Sequence, residues 1–169
     1  MDYSHQKDFF ETAYRTGSDI WTDKHYHSKV FEYLKMIPGH PTVLDLGTGR
    51  GRWPFAMAEI GMQVIGLDYI PHLIDVNNSE AKAKHFQGKL RFIEGDALDI
   101  RFADESFDMV TDFGLLQHMH LQDWEKYGSE VSRVLKLGGH YLSVALSKDT
   151  PKFYDFTPAE STDGNFEKY

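Results

Sequence analysis

The sequence predicts an α/β fold of the Rossmann-like kind: a parallel sheet sandwiched by helices and preceded by a helical segment. Three observations carry this. From Thr42 onward, short apolar runs alternate with longer amphipathic stretches, a spacing that calls for crossover helices between parallel strands. The first run, Val43-Leu44-Asp45-Leu46, is delivered into Gly47-Thr48-Gly49-Arg50-Gly51, with glycines at every second position of a strand-to-helix turn. Acids then recur at or just beyond the run ends, at Asp45, Asp68, Asp96 and Asp112. In open α/β sheets, ligands bind beyond those carboxyl ends.

Each element has its own signal. Phe9, Phe10, Ala13 and Tyr14 mark one helical face, and Val30, Phe31, Leu34 and Ile37 mark a second that Pro38-Gly39 ends. Together they make residues 1–40 a helical cap. Strand Thr42 to Leu46 leads to a helix reaching about Ile60, and Val64 to Asp68 is the second strand. Pro71 opens a helix running to about Phe86, and Leu90 to Glu94 is the third strand. Phe107 to Thr111 is the fourth. Trp124, Tyr127, Val131 and Val134 give the next helix its face, Gly138-Gly139 turns the chain, and Tyr141 to Leu146 is the fifth strand. Residues 41–147 thus form the core. Residues 148–169, with two prolines and several acids, read as loop or partly disordered tail.

Composition narrows the function. The 169 residues are 41% hydrophobic with no apolar run long enough to span a membrane, and the first residues lack a secretory pattern, so a cytoplasmic location is expected. The absence of cysteine excludes disulfides, thiolate nucleophiles and iron–sulfur clusters. A net charge of -8 argues against a phosphate backbone as partner, which makes nucleic acid an unfavoured substrate. His25-x-His27 and His118-x-His120 have no metal-ligand spacing with the acids around them, and no metal is expected.

The glycine turn fits neither common phosphate motif. A dinucleotide fingerprint needs glycine where Arg52 stands, and a P-loop needs lysine before serine or threonine. Asp45, two residues ahead of the first glycine, would repel a pyrophosphate but favour an ammonium or sulfonium group.

Asp45-Leu46-Gly47-Thr48-Gly49-Arg50-Gly51 resembles the first motif of the class I S-adenosylmethionine-dependent methyltransferases, and the likeness continues in order. Asp68 is similar to that family's ribose-binding acid, with Tyr69-Ile70 as the apolar wall beside the adenine. Asp96-Ala97-Leu98 is similar to the segment that reads the adenine ring. Ser106 to Val110 and Arg133 to Gly139 match its fourth strand and the approach to its fifth. The resemblance implies S-adenosyl-L-methionine as methyl donor, S-adenosyl-L-homocysteine as product, and a donor site of Asp45, Gly47, Thr48, Gly49, Gly51, Asp68, Tyr69, Ile70, Asp96, Ala97, Leu98 and Asp112.

Methyl transfer needs alignment and exclusion of water more than a protein nucleophile. Asp112 and His118, after the fourth strand, are the catalytic candidates, with His118 as base or hydrogen-bond donor. His118 also reads as a structural or exposed residue. Asp112-Phe113-Gly114-Leu115 departs from the Asn/Asp-Pro-Pro-aromatic signature of amino-methylating nucleic-acid enzymes. Tyr14, Trp21 and Tyr26 are candidates for the acceptor side; packing against the sheet is the alternative for each. A small-molecule acceptor is expected, against a non-catalytic or truncated donor-binding domain and a protein methyltransferase. The resembling fold continues past the fifth strand with a helix and two more strands, so that strand is expected to present an edge, and a homodimer through it is one way to cover it.

Overall fold

The computed structural model describes residues 3–19, 21–22 and 28–145. Tyr26, His25, His27 and the expected tail lie outside the described residues. Helices α1 (Ser4–Thr16) and α2 (Ser28–Met36) precede the alternation β1 (Thr42–Leu46), α3 (Arg52–Glu59), β2 (Gln63–Asp68), α4 (Pro71–Ala83), β3 (Leu90–Glu94), β4 (Phe107–Phe113), α5 (Trp124–Val134) and β5 (Leu135–Val144). Two single-turn 3-10 helices, Leu116–His118 and Leu121–Asp123, stand between β4 and α5.

All strand pairings are parallel, and the order is β3-β2-β1-β4-β5. Chain order therefore reverses between β1 and β4, which opens a crevice beyond their carboxyl ends. The alternation of side chains in β1 explains the two-sided burial. Val43 enters a core with Leu34, Trp53, Met57 and Met109, whereas Leu44 and Leu46 enter one with Leu67, Val110, Tyr127, Val131 and Val134. Each such side chain contributes about 1.5–3 kcal/mol by leaving water.

The two leading helices do different work. Leu34 of α2 is fully buried in the first core, with Val30, Phe31 and Ile37 packed around it. Helix α1 buries only Gln6 and Ala13, and ends where Gly17 adopts a left-handed conformation.

The region before the fifth strand differs from expectation. Leu135 already pairs with Phe107, and then His140 pairs with Met109, so the intervening residues bulge within β5 instead of forming a turn ahead of it. Gly138 has φ 79°, and a Cβ on Gly139 would fall 2.9 Å from the Lys136 carbonyl oxygen and 3.0 Å from that of Asp108. The paired glycines thus permit a tight bulge. Lys136 closes it by bonding Asp108 Oδ1 at 2.7 Å, and Asp108 Oδ2 accepts from the Thr42 amide and hydroxyl.

Gly66, inside β2, leaves space for two neighbours. A Cβ there would lie 2.6 Å from Phe92 Cδ1 and 2.7 Å from Thr48 Oγ1. The glycine turn consequently nests against β2 with the Phe92 ring of β3 beside it.

Candidate functional site

The turn between β1 and α3 places Gly47, Gly49 and Gly51 at φ 67°, 52° and 72°. Three left-handed residues at alternate positions explain the glycine spacing, because side chains seldom adopt this conformation. Four amides of the turn are spent within the protein. Those of Gly47 and Thr48 both donate to the Leu67 carbonyl, at 2.9 and 3.0 Å, and that of Gly51 donates to Thr48. The Gly49 amide donates to Asp68 Oδ2 at 2.8 Å. In this turn the glycines supply shape and close approach.

Asp45, Asp68 and Asp112 come together at the ends of β1, β2 and β4, all buried. Asp45 Oδ1 accepts from Thr111 Oγ1 at 2.6 Å. Burial, reinforced by the Asp112 and Asp68 charges, pushes the Asp45 carboxyl up to about 7. Burial also raises Asp68, against the opposing bonds from the Gly49 and Ile70 amides.

Asp112, a catalytic candidate in the sequence, is bonded to its own loop and to two tyrosines. Its Oδ1 accepts from the Gly114 and Leu115 amides, and Oδ2 from Leu116 N–H, the Tyr127 hydroxyl at 3.0 Å and the Tyr141 hydroxyl at 3.3 Å. With five protein donors and no exposed surface, the carboxylate organises the turn after β4. It does not face the cleft.

That cleft has a volume of about 510 Å³ and opens beyond β2 and β3. Small-molecule sites run from roughly 300 to 1,000 Å³. Tyr69, Asp96, Ala97 and Leu98 line it, together with Gln6 and Lys7 from α1 and Leu115 and Met119 from the β4–α5 connection. Asp96 uses Oδ1 to hold the Leu98 amide at 2.8 Å. Ile70 is buried behind the wall. The Tyr69 hydroxyl is buried without a hydrogen-bond partner among the described residues, which fits a polar ligand better than a closed apolar core.

The glycine turn itself lies under a cover. Tyr14 Oη stands 2.8 Å from the Cβ position of Gly49, and Leu115 Cβ 2.8 Å from that of Gly47. Trp21 Nε1 donates to Tyr14 Oη at 3.1 Å, and the two rings meet nearly edge to face. Phe10 joins Trp21 to His118 by ring contacts of 5.3 and 5.1 Å. Burial holds the His118 imidazole down to about 4, so it is neutral at pH 7, and its Nδ1 is buried without a partner among the described residues. Tyr14, Trp21 and His118 are therefore brought together around one wall, while Tyr26 lies outside the described residues. No group of three or more His, Asp or Glu among the described residues is arranged to hold a metal ion.

Sequence reasoning missed four contributors. Arg50, Asn77, Gln6 and Lys7 all touch the site, and only Asn77 carried a readable signal, as a poor helix former in the middle of α4. It donates to the Gly49 carbonyl at 2.8 Å.

An open parallel sheet with a glycine turn at its switch point and a cleft beyond its strands defines a ligand-binding α/β protein of the nucleotide type. The model of the family described as "Methyltransferase domain" matches residues 43–139. The chain belongs to this family, within the class I S-adenosylmethionine-dependent methyltransferases. It is 36% identical over 139 residues to the uncharacterized methyltransferase YcgJ of Bacillus subtilis, covering 79% of this chain and 54% of YcgJ. It is 33% identical over 135 residues to demethylmenaquinone methyltransferase of Lactobacillus johnsonii, covering 78% and 54%. The crystal structure of YcgJ superposes with a TM-score of 0.61 at 32% identity, over 70% of this chain and 51% of that one. The chain thus spans about half the length of the curated relatives it matches.

Proposed function

We propose that this chain carries the methyl-donor site of an S-adenosylmethionine-dependent methyltransferase acting on a small molecule. The observation that carries the reading is the cleft beyond β2 and β3, lined by Asp96 to Leu98 and by Leu67 and Tyr69, the two residues that flank buried Asp68. The family match supports the same donor. When bound, the donor supplies an electrophilic methyl group on a sulfonium. Tyr69, Ala97 and Leu98 would hold an adenine, Asp68 a ribose diol after exchanging its bond with Gly49, and Asp45, once a cationic centre nearby draws off its proton, would add negative potential.

The acceptor side is the wall formed by Phe10, Trp21 and His118. Its rings favour an acceptor with an apolar body, and Trp21 and Phe10 keep water from the reacting atoms. Neutral His118 offers Nδ1 for one hydrogen bond or for a proton leaving the acceptor. The net charge supports a small-molecule partner over nucleic acid. Such a protein would work in the cytoplasm; among the described residues no helix is long and apolar enough to cross a membrane.

Calorimetric titration tests the donor. S-adenosylhomocysteine should bind in preference to nicotinamide or flavin cofactors, and a folded wild-type protein that binds none of its analogues would sink the reading.

A further inference from the structure

Arg50 stands inside the glycine turn, and the donor reading gives it no task. Its Nε and Nη2 grip the two oxygens of Asp19, each at 2.6 Å, and Nη2 also donates to the Tyr14 carbonyl at 2.9 Å. The guanidinium carbon lies 5.4 Å from the Tyr14 ring centroid. The Asp19 side chain is 5% exposed and that of Arg50 is 38% exposed. Such a forked pair fixes orientation as well as charge, which lysine could not reproduce.

The pair acts on Tyr14, and Tyr14 acts on Gly49. The Gly49 peptide is held from both sides, its amide by Asp68 and its carbonyl by Asn77, while Tyr14 Oη sits over its α-carbon. Asp19, Arg50, Tyr14, Gly49 and Asp68 therefore form one chain of contacts from the cap to the end of β2. Helix α1 has little apolar burial to hold it down. Polar bonds fasten it instead: Tyr3 to Asp123 and His120, Gln6 to the His118 carbonyl, and Arg50 to the Tyr14–Asp19 end. A ligand entering past the glycine turn needs Tyr14 to lift and then re-seat over it, and Arg50 draws Tyr14 back.

We propose that the Arg50–Asp19 pair is a latch that seats Tyr14 on the glycine turn, making both residues positioning residues for entry and retention of the methyl donor. The role assigned to the donor rests on the function proposed above. An anchor made of polar bonds suits this task, because α1 can lift and re-seat without exposing a hydrophobic core. Apparent affinity scales with the fraction of time Tyr14 is seated, and closure on the ligand slows its release.

Hydrogen exchange and ligand titration on the full chain test it together. Without ligand, R50K and D19N should each speed exchange of the amides from Ala13 to Gly17 about tenfold. Amides of Leu44 and Leu67, inside the sheet, should keep wild-type protection. The Kd of S-adenosylhomocysteine should rise about five- to tenfold in each variant, the D19N/R50K double variant should bind no more weakly than either single one, and the charge-swapped D19R/R50D protein should regain part of the loss. Unchanged exchange from Ala13 to Gly17 in both single variants would overturn the latch. So would loss of protection in β1 and β2 without rescue by the swap, because the pair would then be holding the fold. If wild-type protein binds no S-adenosylhomocysteine yet the exchange effect appears, the donor reading fails and the latch stands.

Discussion

The Asp68 carboxylate accepts the Gly49 amide at 2.8 Å, tying the last residue of β2 to the middle of the turn that follows β1. Residues nineteen positions apart thereby set one another's geometry before any ligand arrives. Replacement of Asp68 by alanine removes a candidate ribose acceptor and leaves the Gly49 amide without its partner. D68A should weaken S-adenosylhomocysteine binding roughly 10- to 100-fold by calorimetry. Wild-type affinity in a folded D68A protein would remove Asp68 from the donor site.

Asp45 makes stability depend on pH. Its carboxyl is raised by burial from 3.8 unfolded to about 7 folded, so the folded state holds a proton that the unfolded chain has lost between these values. The stabilisation is fully present below pH 4 and is lost as pH rises through 7. Its full span is up to about 4 kcal/mol. Thermal melts of the ligand-free protein at pH 5 and pH 8 should show the wild type losing more stability than D45N over that interval. Parallel melting curves would contradict the buried, protonated Asp45.

For Asp112, the five bonds predict a structural loss. D112A should lower stability by about 2–4 kcal/mol in denaturant titration, since the Tyr127 hydroxyl and the turn amides lose their common acceptor. A D112A protein with wild-type stability would argue instead that the carboxylate is spare and open to a ligand.

His118 can be separated from the donor site. H118Q should keep S-adenosylhomocysteine affinity within about twofold while turnover of an accepted substrate falls roughly 10- to 100-fold. With the imidazole neutral down to about 4, the wild-type rate should show no inflection near pH 6.5 that belongs to this residue. An equal loss of donor affinity and rate would place His118 with the methyl donor.

The sheet was readable because parallel strands buried on both faces leave continuous apolar runs, and Thr42 to Leu46 and Leu90 to Glu94 start and stop where those runs do. The family was readable from the alternation of glycines and acids. Side-chain direction was not. Nothing local distinguishes a strand-end acid that faces a cleft from one turned to its own loop, and the tyrosines that bond Asp112 are 15 and 29 residues away. Arg50 and Asp19, 31 residues apart, were hidden in the same way. The bulge in β5 escaped notice because Gly138-Gly139 serves a turn and a bulge equally well.

The gap at Gly66 bears on how far the glycine motif can travel. Thr48 of the turn and Phe92 of β3 both press into the space that a side chain on Gly66 would fill. In sequence the motif is a seven-residue cassette; in space it includes a strand interior and a ring from the strand beyond. Transplanting Asp45 to Gly51 alone into another α/β scaffold should therefore yield a misshapen loop, whereas carrying a glycine and an aromatic ring to the positions of Gly66 and Phe92 would transplant the mould with the cast.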